Sequence, residues 1–214
     1  MWRKGYVERV KRLTGRAVEL RLEIRGGLPE AEPGQFVVLE AHVTGATQRA
    51  SFSLSGIELD HWRLGVKEAR KGGVSEWLCG LKGCTQVRVA GPFGAFALNR
   101  AFSRHTFVAG GSGISPIYCL IQRLVQEGVR PRLYYGNASA DEVMFGSELR
   151  QLADAGQLDL HEFTGRALLD GLRPTDFEEA AAYICGPAAM NRAVADKLET
   201  FGVPIESILS LIHI

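Results

Sequence analysis

The spacing of the apolar residues changes near residues 100–105, and this change constrains the fold more than any other feature. Before it, apolar and polar residues alternate, as they do along Val18–Ile24, and this is the period of a half-buried strand. Pairs such as Gly26–Gly27 separate the alternating runs. Strands are expected at Val7–Leu13, Val18–Ile24, Gln35–Leu39, Arg63–Lys67 and Val87–Ala90, with one helix at Val74–Leu81. Short strands at this spacing predict an antiparallel β-barrel over residues 1–102.

The second half of the chain alternates strands with helices. Pro116 suits the first turn of a helix, because its missing N–H has no partner to lose there, and Gly128 suits the end of that helix. Strands are expected at Thr106–Ala109, Leu133–Tyr135, Leu158–Phe163 and Tyr183–Cys185, with helices from Pro116, at Phe145–Ala153 and at Ala188–Phe201. This order predicts an α/β domain with a parallel sheet over residues 103–214.

Composition and charge exclude several classes of function. Hydrophobic residues make up 46% of the chain, enough for a core that needs no disulfide or metal. The 25 basic and 24 acidic residues are mixed along the chain, which argues against a nucleic-acid partner. The spacing of Cys79 and Cys84 matches part of an iron–sulfur loop. Because Val87 stands where a third cysteine ligand would be, no metal site is expected. The polar start and the absence of a long apolar run predict a cytoplasmic protein without a membrane span.

Two turns at strand ends could hold an anion. Gly110–Pro116 joins a strand to a helix, and glycines there let the backbone and the helix N–H groups approach a phosphate. A tight connection without any ligand explains the same residues equally well. Cys185–Gly186–Pro187 is a second such turn, in which Cys185 could also be only a small core residue.

The ordered set of motifs resembles the ferredoxin–NADP reductase superfamily, most nearly the reductase components of bacterial oxygenases. The motifs are Arg49–Ser53, Gly72–Ser75, Gly91–Gly94, Gly110–Pro116, Tyr135–Gly136, Asp141 with Phe145, and Cys185–Pro187 with Met190. The resemblance implies an FAD-binding barrel followed by an NAD(P)-binding α/β domain, and hence a flavoprotein reductase.

The resemblance also implies a flavin site in the barrel. Phe52 matches the aromatic residue beside the flavin, and Ser53 matches the hydroxyl near flavin N5 and is the expected catalytic residue. The other implied FAD contacts are Arg49, Val66, Lys67, Gly72, Gly73, Val74 and Ser75. A simple pair of barrel-strand residues is the alternative for Phe52 and Ser53.

The implied nicotinamide site lies in the second half. Cys185 matches the thiol that positions the nicotinamide ring, a catalytic role without covalent chemistry. The implied dinucleotide contacts are Gly110, Gly111, Ser112, Gly113, Ser115, Pro116, Cys185, Gly186 and Pro187.

Three departures from the family pattern limit these assignments. Ala50 stands where the family has an arginine, so Arg49 is displaced by one residue and alternation turns it to the other face. Ala138 replaces an arginine that contacts the cofactor, with Arg166 as another candidate, so NADH and NADPH both stay open with a lean to NADH. The ending Leu209–Ile214 matches a translated sequencing adaptor, and we expect the natural protein to continue beyond about Ile208.

The implied reaction passes hydride from NADH or NADPH to FAD. Single electrons then go to an acceptor protein, which could be ferredoxin-like, an oxygenase or a haem protein. Two alternatives stay open: an electron-transfer subunit of a multi-subunit dehydrogenase, and a nucleotide-binding regulatory module without flavin.

Overall fold

The computed structural model describes residues 1–165 and 167–212. The chain divides into two compact units, Met1–Ala97 and Leu98–Ile214. In the described part of the chain, no helix has the length and apolar character needed to cross a membrane.

The first unit is a closed six-stranded barrel. Its strands run in the order β1-β2-β5-β4-β3-β6 around the barrel, and all neighbouring strands pair antiparallel. The elements are β1 (Trp2–Thr14), β2 (Ala17–Ile24), β3 (Phe36–Val43), β4 (Ala46–Ile57), β5 (Trp62–Lys67), α1 (Val74–Cys79) and β6 (Thr85–Phe93).

Alternation along the strands fills the barrel. Leu20 and Leu22 of β2 and Leu39 of β3 are fully buried, while their sequence neighbours carry the charges of the outer face. The short helix α1 places Leu78 in the same core. The interior of the barrel is therefore side-chain core, and a ligand must bind outside it.

The second unit is a five-stranded parallel sheet in the order β11-β10-β7-β8-β9. The strands alternate with helices along the chain, as the periodicity predicts. The elements are β7 (Arg104–Gly110), α2 (Ile114–Gln126), β8 (Arg132–Asn137), α3 (Gly146–Asp154), β9 (Asp159–Thr164), α4 (Leu168–Gly171), β10 (Ala180–Gly186), α5 (Ala188–Thr200) and β11 (Ile208–Ile212).

The winding of this sheet reverses at β7. The chain proceeds from β7 to β8 and β9 on one side, and then returns to place β10 on the other side of β7. In open α/β sheets, ligands bind at such a reversal, outside the carboxyl ends of the strands. Gly110 and Gly186 end β7 and β10, so both glycine turns lie at this reversal.

The predicted fold class is confirmed: an antiparallel barrel followed by a parallel α/β sheet. Three elements are absent from the sequence-based set of strands and helices, namely β4, α4 and β11. In β4, Ser51, Ser53 and Ser55 alternate with Phe52 and Leu54, a pattern that marks a strand once its partners are known. Residues Ile208–Ile212 pair in parallel with β10, while His213 and Ile214 lie outside the described residues.

Candidate functional site

The glycine turn after β7 is packed against the end of β10. Gly110 is followed by a 3-10 turn, Gly111–Gly113, which leads directly into α2. A Cβ atom on Gly113 would lie 2.1 Å from the carbonyl oxygen of Cys185, closer than any real Cβ contact. Glycine is therefore required here by the approach of one backbone to another. No hydrogen bond from an N-cap side chain is made at the start of the 3-10 turn or of α2, and the N–H of Ile114 bonds to the Gly111 carbonyl.

Met190 fills the space between the two turns. A Cβ on Gly110 would lie 2.3 Å from the Met190 sulfur, and a Cβ on Gly186 would lie 2.5 Å from its terminal methyl carbon. Met190 lies in the first turn of α5, so its thioether packs that helix against both glycines. The motif contained Met190, but only the fold shows that it holds the two turns together.

Tyr135 ties β8 to the glycine turn. Its buried hydroxyl donates to the carbonyl oxygen of Gly111 at 3.2 Å and accepts the backbone N–H of Met144, also at 3.2 Å. The side chain of Asn137 also bonds to this hydroxyl, and burial raises the pKa of Tyr135. The hydroxyl therefore acts as a neutral structural group that orients the Gly111 peptide.

Asn137 was not among the predicted site residues. It is the last residue of β8, 6% exposed, and its side-chain oxygen has no hydrogen-bond partner. A buried amide oxygen without a partner costs free energy unless a ligand or water supplies a donor. Its position at the carboxyl end of a strand beside β7 places this acceptor at the expected ligand edge. The only indication of Asn137 in the sequence is that a polar residue follows the Tyr135–Gly136 pair.

Cys185 is fully buried at the end of β10. Burial raises the pKa of its thiol to about 12, so the side chain is neutral at any physiological pH. A neutral thiol is a poor nucleophile, which agrees with a positioning role and argues against covalent chemistry. All four cysteines are free, and within the described residues no group of three or more His, Cys, Asp or Glu could hold a metal.

Ser112, Ser115 and Pro116 surround the start of α2. Ser112 is half-buried in the 3-10 turn, while Ser115 and Pro116 are buried in the first turn of the helix. Pro187 is exposed and is the N-cap residue of α5. The predicted dinucleotide residues therefore gather around two neighbouring helix starts.

In the barrel, Phe52 and Ser53 have different surroundings. The ring of Phe52 belongs to the barrel core, as does the side chain of Val66. Ser53 is 5% exposed and lies opposite Phe36 on β3, on the outer face of the strand pair. Lys67 is half-buried at the end of β5. The ring of Phe52 therefore packs in the barrel core, and alternation along β4 puts Ser53 on the opposite face of the strand.

The Gly72–Ser75 segment is held by hydrogen bonds from three directions. The N–H of Gly72 donates to the Glu76 carboxylate at 2.6 Å, and Gln48 donates to the Gly72 carbonyl at 3.1 Å. The Ser75 hydroxyl accepts the N–H of Ala69 at 3.2 Å. Gly72 has φ of +70°, a conformation that glycine adopts without strain. The Gly72 N–H thus binds an anionic group, the Glu76 carboxylate of the chain itself.

Gly73 and Val74 have less accessible positions. Gly73 is buried as the N-cap residue of α1, and Val74 packs in the barrel core. Only the backbone of these two residues could contact a ligand.

Arg49 points away from the Ala50 side of β4, as alternation predicts. Its guanidinium binds the carboxylate of Glu40 at 2.7 Å and lies 5.1 Å from the ring centroid of Trp2. Ala50 packs against the barrel core on the opposite face. The guanidinium is thus already paired, and its surroundings give no support to a flavin contact. Arg166, the other arginine considered, lies outside the described residues.

Comparison with known proteins agrees with this architecture. Residues 107–196 match the oxidoreductase NAD-binding domain family. A flavohemoprotein from Deinococcus radiodurans is 32% identical over 205 residues, covering 85% of this chain and 51% of that protein. The ferredoxin reductase component of a 3-ketosteroid-9-alpha-monooxygenase from Rhodococcus rhodochrous is 30% identical over 185 residues, covering 80% and 53%. The chain belongs to the ferredoxin–NADP reductase superfamily.

Solved structures show the same fold. The FAD/NAD-binding domain of a nitric oxide dioxygenase from Vibrio cholerae superposes with a TM-score of 0.86 at 21% identity, covering 99% of this chain and 98% of that one. The ferredoxin reductase of a carbazole 1,9a-dioxygenase gives 0.83 at 20% identity, covering 98% and 68%. The predicted superfamily is confirmed. The chain spans about half the length of the curated relatives it matches.

The role of Tyr135 can be tested in this NAD-binding domain. Replacing it by phenylalanine should raise the Kd for NAD⁺ about 10-fold, because the Gly111 carbonyl, the Met144 N–H and the Asn137 amide all lose their partner. Isothermal titration calorimetry measures the change directly. Tyr183→Phe is the matched control, since that buried hydroxyl also accepts a backbone N–H, from Asn99, but lies within β10 away from the turn. Equal Kd values for the two variants would contradict the assignment.

Proposed function

We propose that this chain is a flavin-dependent NAD(P)H reductase. Hydride passes from the reduced nicotinamide dinucleotide to FAD, and electrons then pass singly to an iron–sulfur or haem protein. The observation that carries the proposal is the position of Gly110–Gly113. This uncapped glycine turn lies at the reversal of the parallel sheet, within the segment that matches the NAD-binding domain family. The curated relatives that are named as reductase components support the same activity.

The residues at this turn fit a dinucleotide. The start of α2, which has no side-chain cap, and the helix dipole favour a phosphate. The unpartnered side-chain oxygen of Asn137 can accept a hydrogen bond from a ribose hydroxyl. Gly110, Gly111, Ser112 and Gly113 form the pyrophosphate turn of the proposal, with Ser115 and Pro116 as its helical support.

Cys185, Gly186 and Pro187 form the nicotinamide side of the proposed site. The neutral thiol of Cys185 offers a small, polarisable surface against which the ring can be oriented. Hydride transfer depends mainly on the distance and angle between the reacting groups, so orientation is the contribution expected of this residue. With Ala138 in place of an arginine, we propose NADH as the preferred donor.

In the barrel, the Gly72–Ser75 segment is the proposed pyrophosphate site of FAD. Bound FAD would supply the chemistry of accepting a hydride and releasing electrons one at a time. The Ser75 hydroxyl is a donor available there, whereas the Gly72 N–H is bound to the Glu76 carboxylate. Ser53 is the proposed hydroxyl at flavin N5, and Val66 and Lys67 contribute backbone. Phe52 contributes through the core that supports Ser53, and Arg49 is left out of the proposed site.

We also place the protein in the cytoplasm. Four free cysteines, three of them buried, suit a reducing compartment, where disulfides rarely persist.

The proposal is tested by reconstitution. Purified protein is mixed with FAD, and the visible flavin spectrum and the reduction of a dye acceptor are measured with NADH and with NADPH. We expect a yellow protein that reduces the dye faster with NADH. A colourless protein that binds dinucleotide would instead indicate a regulatory module, and absence of dye reduction with both nucleotides would overturn the proposal.

The role of Ser53 is tested separately by stopped-flow reduction of the flavin. Ser53→Ala should slow flavin reduction by about 10-fold or more, the effect of one lost hydrogen bond at a reacting atom, while flavin affinity stays close to wild type. Ser51→Ala is the control, because Ser51 lies on the same face of β4 but is exposed. Identical rates for the two variants would remove Ser53 from the proposed mechanism.

A further inference from the structure

Residues 98–103, here called the joining segment, lead from the first unit into β7 and are bound to the sheet of the second unit. The backbone N–H of Asn99 donates to the hydroxyl of Tyr183 on β10 at 2.7 Å. Within the segment, the side chain of Asn99 accepts the N–H of Ala101 at 3.1 Å, and its carbonyl oxygen accepts the N–H of Phe102 at 3.3 Å. Asn99 therefore holds the segment in a turn and binds it to a fully buried tyrosine.

His105 lies beside this tyrosine. It is the second residue of β7 and only 5% exposed, and its Nδ1 lies 3.3 Å from the Tyr183 hydroxyl. The ring also forms a hydrogen bond with the backbone of Phe102 in the joining segment. Tyr183 is held in place by stacking on Phe107, with ring centroids 4.7 Å apart. His105 thus contacts both the tyrosine and the segment that the tyrosine binds. His105, Tyr183 and Asn99 are here called the His105 network.

The surroundings of His105 favour the neutral ring. Burial is the main cause that lowers its pKa below the ordinary value of 6.5, and the positive charge of Arg100 acts in the same direction. Glu127, the C-cap residue of α2, favours the protonated ring, but its carboxylate already forms two hydrogen bonds with Arg100. Burial raises the pKa of Tyr183, so its hydroxyl keeps its proton. These are the titratable and charged groups that face His105 from β10, the joining segment and α2.

Protonation of His105 would disrupt the network. A protonated imidazole has two donor nitrogens and no acceptor, so it can no longer accept a hydrogen bond from the Tyr183 hydroxyl. It would also place a positive charge near Arg100 at a site with little access to water. Because the unfolded chain binds this proton more readily, the stability of the network is complete above the unfolded-state pKa of about 6.5 and is lost as the pH falls below it.

The His105 network lies at the opposite end of β7 from the glycine turn. Five residues of strand separate His105 from Gly110, a distance of about 17 Å. Release of the joining segment should therefore leave dinucleotide binding unchanged. Hydride transfer differs, because in the proposed reaction the second unit holds the donor and the first unit holds the acceptor. A looser connection between the units lowers the fraction of time that the two groups are correctly placed.

We propose that the His105 network is a proton-operated switch, which holds the joining segment on the sheet when His105 is neutral and releases it when His105 is protonated. The hydrogen bonds of Asn99 and His105 to Tyr183 carry this inference. The pair of Arg100 and Glu127 contributes less, because exposed ion pairs stabilise weakly. The expected consequence is slower hydride transfer from NADH to FAD at acidic pH, and this part rests on the proposed reductase function.

The switch is tested by hydrogen–deuterium exchange of the full chain, measured by mass spectrometry at pH 8 and pH 5, the two ends of the range in which histidine titrates. Each exchange rate is divided by the intrinsic rate at that pH. In the wild type, protection of residues 98–103 should be about 10-fold lower at pH 5, the effect of one lost hydrogen bond. His105→Gln, whose side chain stays neutral, should show equal protection at both pH values. Tyr183→Phe should show low protection at both.

His42→Gln is the matched control, because His42 is an exposed histidine on β3 of the first unit. This variant should keep the pH dependence of the wild type. Equal protection of the wild-type segment at pH 8 and pH 5 would overturn the switch, and so would a pH dependence that persists in His105→Gln. If His105→Gln does not fold, Tyr183→Phe still decides the question, since wild-type protection of its segment at pH 8 would also overturn the switch.

Stopped-flow reduction of bound FAD by NADH separates the switch from the proposed function. Between pH 8 and pH 5, the rate in the wild type relative to His105→Gln should fall at least about 2-fold, as expected when a conformational step limits the reaction. The Kd for NAD⁺ should stay equal in the two proteins. Equal falls in rate would overturn the effect on hydride transfer. Absence of flavin reduction in the wild type would overturn the reductase function, while the exchange measurement still decides the switch.

Discussion

Replacement of Gly113 by alanine is expected to abolish dinucleotide binding and to destabilise the second unit. The added Cβ would lie 2.1 Å from the Cys185 oxygen, 2.5 Å from its carbonyl carbon and 2.8 Å from the Gly186 nitrogen. All three atoms are backbone, so no side-chain rotation relieves the overlap. Either the start of α2 or the end of β10 must move, at a cost of about 3 kcal/mol.

The effect of Gly113→Ala on binding should exceed its effect on folding. The turn and Cys185 are the pyrophosphate side and the nicotinamide side of the proposed dinucleotide site, so separating them removes the geometry that the ligand requires. Calorimetry with NAD⁺ should show no binding at concentrations that saturate wild type, while circular dichroism still shows folded protein. Gly83→Ala is the control, because a Cβ there would meet no atom within 4 Å. A Gly113→Ala variant that binds NAD⁺ as wild type does would refute the close packing of the two turns.

Replacement of Asp176 by alanine is expected to produce the largest loss of stability without touching the glycine turns. Asp176 is 8% exposed, and its carboxylate accepts hydrogen bonds from the Tyr134 hydroxyl and from Arg132. Burial is the main reason that the pKa of Tyr134 is raised, so its hydroxyl stays protonated and needs an acceptor. Removing the carboxylate leaves a buried hydroxyl unpaired. It also leaves Arg132 with only Asp159, and the expected loss is about 3 kcal/mol.

The positions of the three tryptophans allow the unfolding of the two units to be measured separately. Trp2, Trp62 and Trp77 all lie in the first unit, whereas four of the five α-helices in the described residues lie in the second. In urea, Asp176→Ala should shift the helical circular dichroism transition to lower denaturant and leave the tryptophan fluorescence transition nearly in place. Asp154→Ala removes an exposed carboxylate from the end of α3 and should change stability by less than about 0.5 kcal/mol. Equal shifts in the two variants would rule out a structural role for the Asp176 cluster.

Much of the architecture follows from local patterns in the sequence. Alternation along β2 and the helical spacing after Pro116 predicted the two kinds of unit, because side-chain period reflects backbone geometry directly. Strand β4 is not predicted by local pattern, because its serines and its arginine weaken the hydrophobic alternation. Its register with β3 depends on a partner strand, and no local pattern contains that information.

Local sequence likewise predicts only part of the candidate site. The glycine turn at Gly110–Gly113 is visible in the sequence, since few other residues could follow a buried strand so tightly. The partners of that turn are not visible: Met190 lies between Gly110 and Gly186, and Tyr135 holds the Gly111 carbonyl. These contacts join residues that are far apart along the chain, so they exist only after the sheet has assembled.

Arg49 shows most clearly what each level decided. Its displacement from the family position and its turn away from Ala50 follow from the local sequence. Its neighbours on that face are set by the assembled barrel: the buried carboxylate of Glu40, the ring of Trp2 and, across the sheet, Arg88. The physical reason is that backbone periodicity sets the face of a strand on which a residue lies. Its neighbours on that face come from strands whose pairing depends on packing of the whole barrel.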